Sequence, residues 1–225
     1  MTSRTSTALT TEPVTVAAAD YQLAGDLTLP APARGVVLFA HGSGSSRLSP
    51  RNRFVAEQLN GHQLATLLID LLTLEEEAVD EYTRELRFDI PLLATRLSAC
   101  ADWLGGDERT SRLPLGLFGA STGAAAALTC AADKRDAVDA VVSRGGRPDL
   151  AGEALTRVEA ATLLIVGGRD QVVIDLNRQA QAQMRCENRL EVVPGATHLF
   201  EEPGALETVA RLAGDWFTGR LPRHT

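Results

Sequence analysis

Short apolar runs alternate with longer helical patterns along most of this chain of 225 residues. The apolar runs, which are typical of buried strands, lie at residues 35–40, 65–69, 115–118, 137–143, 162–166 and 190–193. The helical patterns lie at residues 52–60, 89–104, 122–132, 174–185 and 207–218. Such an alternation builds βαβ units with right-handed crossovers. It predicts an α/β fold with a mostly parallel sheet and helices on both faces.

The two ends of the chain and the longer connections limit the domain organisation. Residues 1–12 are rich in Thr and Ser and predict a disordered tail, and residues 14–18 and 25–29 predict an antiparallel strand pair. The connection 143–162 and the acidic segment 75–81 fit ordinary loops with at most one helical turn, which excludes a large cap domain. We predict a single domain at 13–221, followed by a C-terminal tail at 222–225.

The composition excludes several classes of partner. A formal net charge of −7 argues against nucleic acid, which requires a basic face. No stretch approaches the length of a membrane span, and residues 1–12 lack the apolar core of a signal peptide. We expect a soluble, cytoplasmic protein without a membrane partner. The single lysine, Lys134, beside many arginines resembles the codon bias of a GC-rich bacterium.

The three cysteines, Cys100, Cys130 and Cys186, are odd in number and widely spaced. They indicate neither a disulfide framework nor a zinc site, and no metal or cofactor is expected. Cys100 and Cys130 lie in apolar helical patterns, where we predict buried, inert thiols.

Residues 119–123 read Gly-Ala-Ser-Thr-Gly and join the apolar run 115–118 to an alanine-rich helical pattern. A strand that turns abruptly into a helix holds its apex residue in a strained conformation, and larger side chains two positions away would collide with the backbone. The hydroxyl of Ser121 would then lie at a helix N-terminus, where free N–H groups stabilise negative charge. This pattern predicts a nucleophile elbow with Ser121 as the nucleophile.

A serine nucleophile needs a base, and the base needs an orienting carboxylate. Of the four histidines, His224 lies in the C-terminal tail, His62 in a helix-to-strand turn and His41 in a glycine-rich loop. His198 follows the last predicted strand and precedes the last helix, so it is the candidate base.

Asp170 follows the strand 162–166 and is the candidate acid, with Asp175 as its competitor a few residues into the next helix. The order Ser121, Asp170, His198 is that of α/β-hydrolases and differs from the other well-known triad orders.

Acyl transfer also needs donors for a developing oxyanion. The loop 41–46, His-Gly-Ser-Gly-Ser-Ser, follows the strand 36–40. The backbone N–H groups of Ser43 and Thr122 are the candidate oxyanion hole. A phosphate cradle is the rival interpretation of this loop, but no Gly-Lys-Ser/Thr follows it.

With these motifs the chain resembles the α/β-hydrolase superfamily and, within it, the bacterial dienelactone-hydrolase-like proteins. The resemblance covers residues 14–221 and depends on the runs at 38–46, 119–123, 143–149 and 196–200. It implies an eight-stranded sheet, a catalytic triad and hydrolysis of small esters or lactones.

The chain departs from dienelactone hydrolases at two places. Those enzymes use a cysteine nucleophile, where this chain has Ser121, and they bind the substrate carboxylate through arginines, one of them soon after the catalytic histidine. Here Glu201 and Glu202 stand after His198. If either glutamate pointed into the pocket, it would repel anionic substrates. Arg84 or Arg87 is the candidate for the second carboxylate-binding arginine of those enzymes, and a surface ion pair is the alternative for Arg87. Arginines that the sequence leaves without a role are Arg47, Arg51, Arg53, Arg144 and Arg147.

Together these features predict a cofactor-free serine hydrolase that cleaves small carboxylic esters, with lactones as a further class, through an acyl-enzyme. A thioesterase or acyltransferase with the same triad, and a catalytically silent binding domain with this fold, are the alternatives. The expected partner is a small ester, and the oligomeric state is left open, a homodimer included.

Overall fold

The computed structural model describes residues 8–222. Its eight strands are Ala8–Ala18 (β1), Tyr21–Ala31 (β2), Gly35–Ala40 (β3), Leu64–Ile69 (β4), Leu115–Ala120 (β5), Val138–Arg144 (β6), Ala161–Gly167 (β7) and Asn188–Val193 (β8). They form one sheet in the order β1-β2-β4-β3-β5-β6-β7-β8. β2 pairs antiparallel with β1 and β4, and the remaining pairs are parallel. The predicted α/β fold with a mostly parallel sheet is confirmed.

The α-helices are Pro50–Gly61 (α1), Leu74–Thr83 (α2), Ile90–Gly106 (α3), Thr122–Asp133 (α4), Gln171–Gln183 (α5) and Ala205–Arg220 (α6). Two 3₁₀ segments, Leu86–Phe88 and Pro148–Arg157, complete the elements. None of the helices within residues 8–222 is long and apolar enough to cross a membrane.

The core lies on both faces of the sheet. Side chains from α3 and α4 form a cluster with one face, and side chains from α1 and α6 form a second cluster with the other. Every residue of β3, β4 and β5 is buried, as expected for central strands covered on both sides. Because the parallel strands run in one direction, the loops that follow β3, β5, β6, β7 and β8 meet at one edge of the sheet.

The predicted N-terminal tail is wrong over residues 8–12. These residues belong to β1, which pairs with β2 along its whole length, from Ala8 opposite Ala31 to Ala18 opposite Tyr21. The backbone N–H and C=O groups of this polar stretch form hydrogen bonds with β2, so the strand is ordered although it carries few apolar side chains. The remaining tail residues, 1–7 and 223–225, lie outside the described part of the chain, as does His224.

The acidic segment 75–81 was expected to be a loop, but it forms most of α2. Thr73 and Glu76 make a capping box, in which Thr73 Oγ1 accepts the N–H of Glu76 and the Glu76 carboxylate accepts the N–H of Thr73. Glu75, Glu76 and Glu77 lie in the first turn, where the helix dipole favours negative charge. These local interactions stabilise a helix that buries little apolar surface, since its only buried residue is Asp80.

Candidate active site

Ser121 lies at the apex between β5 and α4 with φ 51° and ψ −120°, a backbone conformation that residues other than Gly rarely adopt. A Cβ at Gly119 would lie 2.4 Å from Cα of Ala124, and one at Gly123 would lie 2.3 Å from the carbonyl oxygen of Ala40. Both positions therefore require glycine. The Ser121 N–H donates to the carbonyl oxygen of Arg144 at 3.2 Å, which fixes the apex against the end of β6.

Asp170 and His198 are joined by a hydrogen bond of 2.7 Å between Asp170 Oδ2 and His198 Nδ1. Asp170 stands at the N-terminus of α5, but its side chain does not cap the helix, which leaves the carboxylate for the imidazole. The competitor Asp175 instead bonds to Gln171 and Arg178 on the surface of α5. The structure thus brings the candidate base together with Asp170 and not with Asp175.

The turn that carries His198 is fixed by backbone contacts. The carbonyl oxygen of Ala196 accepts the N–H of Arg169 at 2.9 Å, so the loops after β7 and β8 are joined. Glu202 Oε2 accepts the N–H of Thr197 at 3.0 Å, and hydrogen bonds from Thr197 lower the pKa of Glu202. Phe200 is buried at a positive φ of 57° and anchors the other end of the turn.

His198 and Ser121 lie on either side of the short segment that follows β6. A Cβ at Gly145 would lie 3.6 Å from Cε1 of His198, and the preceding residue, Arg144, accepts the Ser121 N–H. Gly145 has a positive φ of 52°, and its own N–H donates to Ile165 in β7 at 2.7 Å. A Cβ at Gly145 would also lie 3.0 Å from the carbonyl oxygen of His198, so glycine at this position lets the turn that carries His198 pack against the end of β6.

The loop after β3 packs directly against the serine. A Cβ at Gly42 would lie 3.0 Å from Cβ of Ser121. Within residues 8–222, the backbone N–H groups of Ser43 and Thr122 donate no hydrogen bond, and both residues line one cavity of about 600 Å³. The two candidate oxyanion donors are therefore free and adjoin the same space.

His41 holds this loop in place. Its buried ring accepts the N–H of Leu71 through Nε2 at 3.0 Å and donates from Nδ1 to the carbonyl oxygen of Gly42 at 3.0 Å. Burial lowers the pKa of His41. The hydrogen bond to Gly42 and the negative charge of Asp70 each act to raise this pKa, but burial has the larger effect. The sequence places His41 in the loop after β3. Its contact with Leu71 could not be predicted, because it depends on how the end of β4 packs beside that loop.

The far wall of the cavity comes from α2 and the segment after it, and the sequence pattern does not predict this helix. Glu77, Asp80, Glu81 and Arg87 line it. Asp80 accepts Arg87 Nε at 2.5 Å and Arg87 N at 3.1 Å. Burial alone would raise the pKa of Asp80, but these hydrogen bonds from Arg87 lower it. The capping-box spacing from Thr73 to Glu76 is the sequence signal that could have revealed this helix.

Glu201 and Glu202 do not line this cavity, within the part of the chain that the structure describes. Glu202 is engaged with Thr197, and Glu201 makes an exposed ion pair of 3.1 Å with Arg51. Neither glutamate therefore points into the cavity beside Ser43, and the condition for a repulsion of anionic substrates is not met there. The reason is local, because each carboxylate finds a closer partner in the turn after His198 or at the start of α1.

The buried cysteines lie in the core, away from this site. Cys100 and Cys130 are in α3 and α4, and burial raises the pKa of their thiols to about 12 and about 11. Thiols of this kind are inert at neutral pH, as expected from the sequence.

Comparison with known proteins agrees with this geometry. A family model described as an α/β-hydrolase domain matches residues 33–210. The crystal structure of dienelactone hydrolase from Anabaena variabilis superposes with a TM-score of 0.94 at 56% sequence identity and covers 95% of this chain and 99% of that one. Est1E from Butyrivibrio proteoclasticus shares the fold alone, with a TM-score of 0.77 at 16% identity over 92% of this chain and 98% of that one.

Two curated relatives, from two strains of Mycobacterium tuberculosis, bear the provisional name phosphoribosyl transferase. Each is 61% identical over 210 residues, which is 93% of this chain. The chain spans only 46% of the length of these relatives. The family model and the Anabaena structure show that the chain belongs to the α/β-hydrolase family and is dienelactone-hydrolase-like within it.

Proposed function

We propose that the chain is a serine hydrolase that cleaves small carboxylic esters, with lactones as a further class, through an acyl-enzyme. The observation that carries the proposal is the 2.7 Å hydrogen bond between His198 and Asp170, at the same edge of the sheet as a serine held at φ 51°. A histidine oriented by a carboxylate, next to a serine on a strained turn, is the arrangement that activates a hydroxyl for acyl transfer.

In the first step the Oγ of Ser121 attacks the ester carbonyl carbon. His198 takes the hydroxyl proton on Nε2, since its Nδ1 is engaged by Asp170. The Asp170 carboxylate stabilises the imidazolium without accepting its proton. The carbonyl oxygen becomes an oxyanion, which the free N–H groups of Ser43 and Thr122 would bind, aided by the N-terminus of α4.

In the second step the tetrahedral intermediate collapses and the carbon–oxygen bond to the alcohol breaks. The alcohol leaves with the proton from His198, and Ser121 stays acylated. Water then attacks the acyl carbon while His198 takes its proton. When this second tetrahedral intermediate collapses, the bond between the acyl carbon and Ser121 Oγ breaks, His198 returns the proton to Oγ, and the carboxylic acid leaves. Every proton passes through one imidazole, so no metal or cofactor is needed.

Two other functions use the same residues. A thioesterase or acyltransferase would keep the triad and change the acyl donor or acceptor. A silent binding domain would keep the fold without turnover. The transferase name of the mycobacterial relatives describes whole proteins of which this chain covers under half, so we assign only hydrolase chemistry to it.

A fluorophosphonate probe tests the proposal, because it labels only an activated serine. We expect labelling of the parent, none of Ser121→Ala and undiminished labelling of Cys186→Ser. An unlabelled parent would favour the binding domain. A panel of short acyl esters, lactones and acyl-CoA thioesters then separates the enzyme classes, and faster turnover of the thioesters would overturn the assignment to esters.

A further inference from the structure

The segment after β6 lies between the two helices that begin at candidate catalytic residues. α4 begins directly after Ser121, and α5 begins directly after Asp170. A Cβ at Gly146 would lie 2.6 Å from Cβ of Ala124, in the first turn of α4, and 1.9 Å from Oγ of Ser143 in β6. Position 146 therefore requires glycine, and its backbone packs directly against the helix of the candidate nucleophile.

Asn177 in α5 contacts this segment from the other side. Its side chain is fully buried, and its Nδ2 donates to the carbonyl oxygen of Gly146 at 3.0 Å. The same Nδ2 donates to the carbonyl oxygen of Val173, one turn earlier in α5, at 2.8 Å. Gly146 is itself buried, so Asn177 provides a donor for a carbonyl group that lies away from water. The bond to Gly146 joins α5 to the segment that packs against α4.

The amide of Asn177 carries a cost. Within residues 8–222, its buried Oδ1 has no hydrogen-bond partner. A buried polar atom without a partner lowers stability, and an apolar side chain of similar volume, such as Leu, would avoid this loss. The cost indicates that the amide serves through its donor, which reaches Gly146.

The same segment also contacts the other two candidate catalytic residues. The carbonyl oxygen of Arg144 accepts the N–H of Ser121 at 3.2 Å, and the N–H of Arg147 donates to the carbonyl oxygen of Ser121 at 3.1 Å. A Cβ at Gly145 would lie 3.0 Å from the carbonyl oxygen of His198. A displacement of this segment would therefore move the serine and the histidine turn relative to the start of α5.

We propose that Asn177 is a positioning residue for the candidate triad: its hydrogen bond to Gly146 fixes the helix that begins after Asp170 against the segment that contacts the other two members. The inference rests on the proposed serine hydrolysis and adds a residue to its machinery. Asn177 does not line the cavity beside Ser43, so it acts through the backbone and not on the substrate. Because a misplacement of about 1 Å far from the chemistry costs up to about 10²-fold in rate, losing this bond slows acylation without weakening ester binding.

The test compares two buried asparagines. In Asn177→Ser the short hydroxyl bonds to the carbonyl of Val173 within the helix but does not reach Gly146, so the variant removes the bond between the elements. Asn60→Ser is the matched control, because Nδ2 of Asn60 ties α1 to the carbonyl oxygen of Leu64, at the start of β4, at 2.9 Å. That end of β4 lies at the opposite edge of the sheet from the candidate site.

We expect both variants to lower the Tm, because each leaves a buried carbonyl without its donor. Only Asn177→Ser should lower kcat for 4-nitrophenyl acetate, by about 10- to 100-fold, with little change in KM. Asn177→Leu also removes the unpaired Oδ1 and should show the same fall in kcat. Retained kcat in either Asn177 variant, or an equal fall in Asn60→Ser, overturns the positioning role. A rise in KM without a fall in kcat also overturns it.

A readout without turnover keeps this role distinct from the proposed hydrolysis. Proton NMR detects the Nδ1 hydrogen of His198 in its bond to Asp170, and His198→Ala identifies the resonance by removing it. We expect this resonance to shift or broaden in Asn177→Ser and to remain as in the parent in Asn60→Ser. If this pattern is seen in a protein that cleaves no ester, the proposed function fails and the positioning role stands. A resonance that is unchanged in Asn177→Ser overturns the positioning role, whether or not the parent is active.

Discussion

His41 accepts the backbone N–H of Leu71 through Nε2 at 3.0 Å, which ties the loop after β3 to the end of β4. Because Nδ1 donates to the carbonyl oxygen of Gly42, the neutral ring satisfies one donor and one acceptor at once. Protonation would place a second N–H against the Leu71 N–H. We expect His41→Ala to cost about 1–3 kcal/mol in unfolding free energy, because the buried Leu71 N–H loses its acceptor.

The pH dependence of stability provides a second readout for His41. Burial lowers the pKa of His41 in the folded protein below its usual value of 6.5. The unfolded chain then binds a proton that the folded chain does not, so stability is full above pH 6.5 and falls as the pH drops below it. Urea unfolding from pH 8 to pH 5 should show a shallower loss in His41→Ala than in the parent. Parallel curves would contradict a neutral buried ring.

Ser121→Ala should reduce ester hydrolysis by about 10⁴-fold or more, because only binding and oxyanion stabilisation remain. Steady-state rates with 4-nitrophenyl acetate check this, with thermal unfolding to show that the variant folds. Cys186→Ser is the matched control and should retain the parent's rate. A dead cysteine variant together with an active Ser121→Ala would assign the nucleophile to a thiol.

Asp170→Asn should lower kcat by about 10⁴-fold, since the amide fixes the wrong tautomer of His198. His198→Ala should be at least as damaging, because the triad acts as a unit. Asp175→Asn is the internal control, because Asp175 bonds to Gln171 and Arg178 on an exposed helix face. Activity lost in Asp175→Asn and kept in Asp170→Asn would mean that the acid has been misassigned.

The sequence predicts those parts of the fold and of the candidate site that depend on neighbouring residues in the chain. Strand and helix periodicity predicted the sheet, and the glycines at 119 and 123 predicted the turn at Ser121 because each position excludes a Cβ. The residues 8–12 were misjudged because backbone pairing with β2, rather than apolar content, orders them. Arg144 could not be distinguished from a surface arginine, because its burial depends on α1, which lies 92 residues away in sequence.

The wall of the cavity depends on an ion pair that pattern reasoning did not find. Asp80, buried in α2, accepts hydrogen bonds from Arg87. Asp80→Asn should lose about 2–3 kcal/mol of unfolding free energy, since charge-assisted hydrogen bonds are the strong ones. Urea midpoints check this, and Asp175→Asn, which breaks an exposed pair, should change them little.

Acid sensitivity provides a further check on Asp80. Its folded pKa lies below the usual 3.8, so the pair's stabilisation is present above that pH and is lost as the pH falls through the folded value. As the pH falls below about 4, the unfolding free energy of Asp80→Asn should therefore decrease less steeply than that of the parent. An equally steep decrease in both proteins would show that the ion pair does not stabilise the fold.

The cavity beside Ser43 predicts a preference for short acyl groups. Its volume is about 600 Å³, and its wall carries Glu77 and Glu81 from α2. A long acyl chain gains affinity only when its methylenes are buried, at about 0.8 kcal/mol each. Leu72, Leu74 and Leu93 also line the cavity, but Glu77 and Glu81 interrupt the apolar surface that they offer to such a chain. We expect kcat/KM for acetyl to butyryl 4-nitrophenyl esters to exceed that for the decanoyl ester by about tenfold or more. Glu77→Leu should narrow this gap, whereas Glu57→Leu, on the exposed face of α1, should not. A rate that climbs steadily with chain length in the parent, or that jumps above the critical micelle concentration, would show that another surface binds the acyl chain.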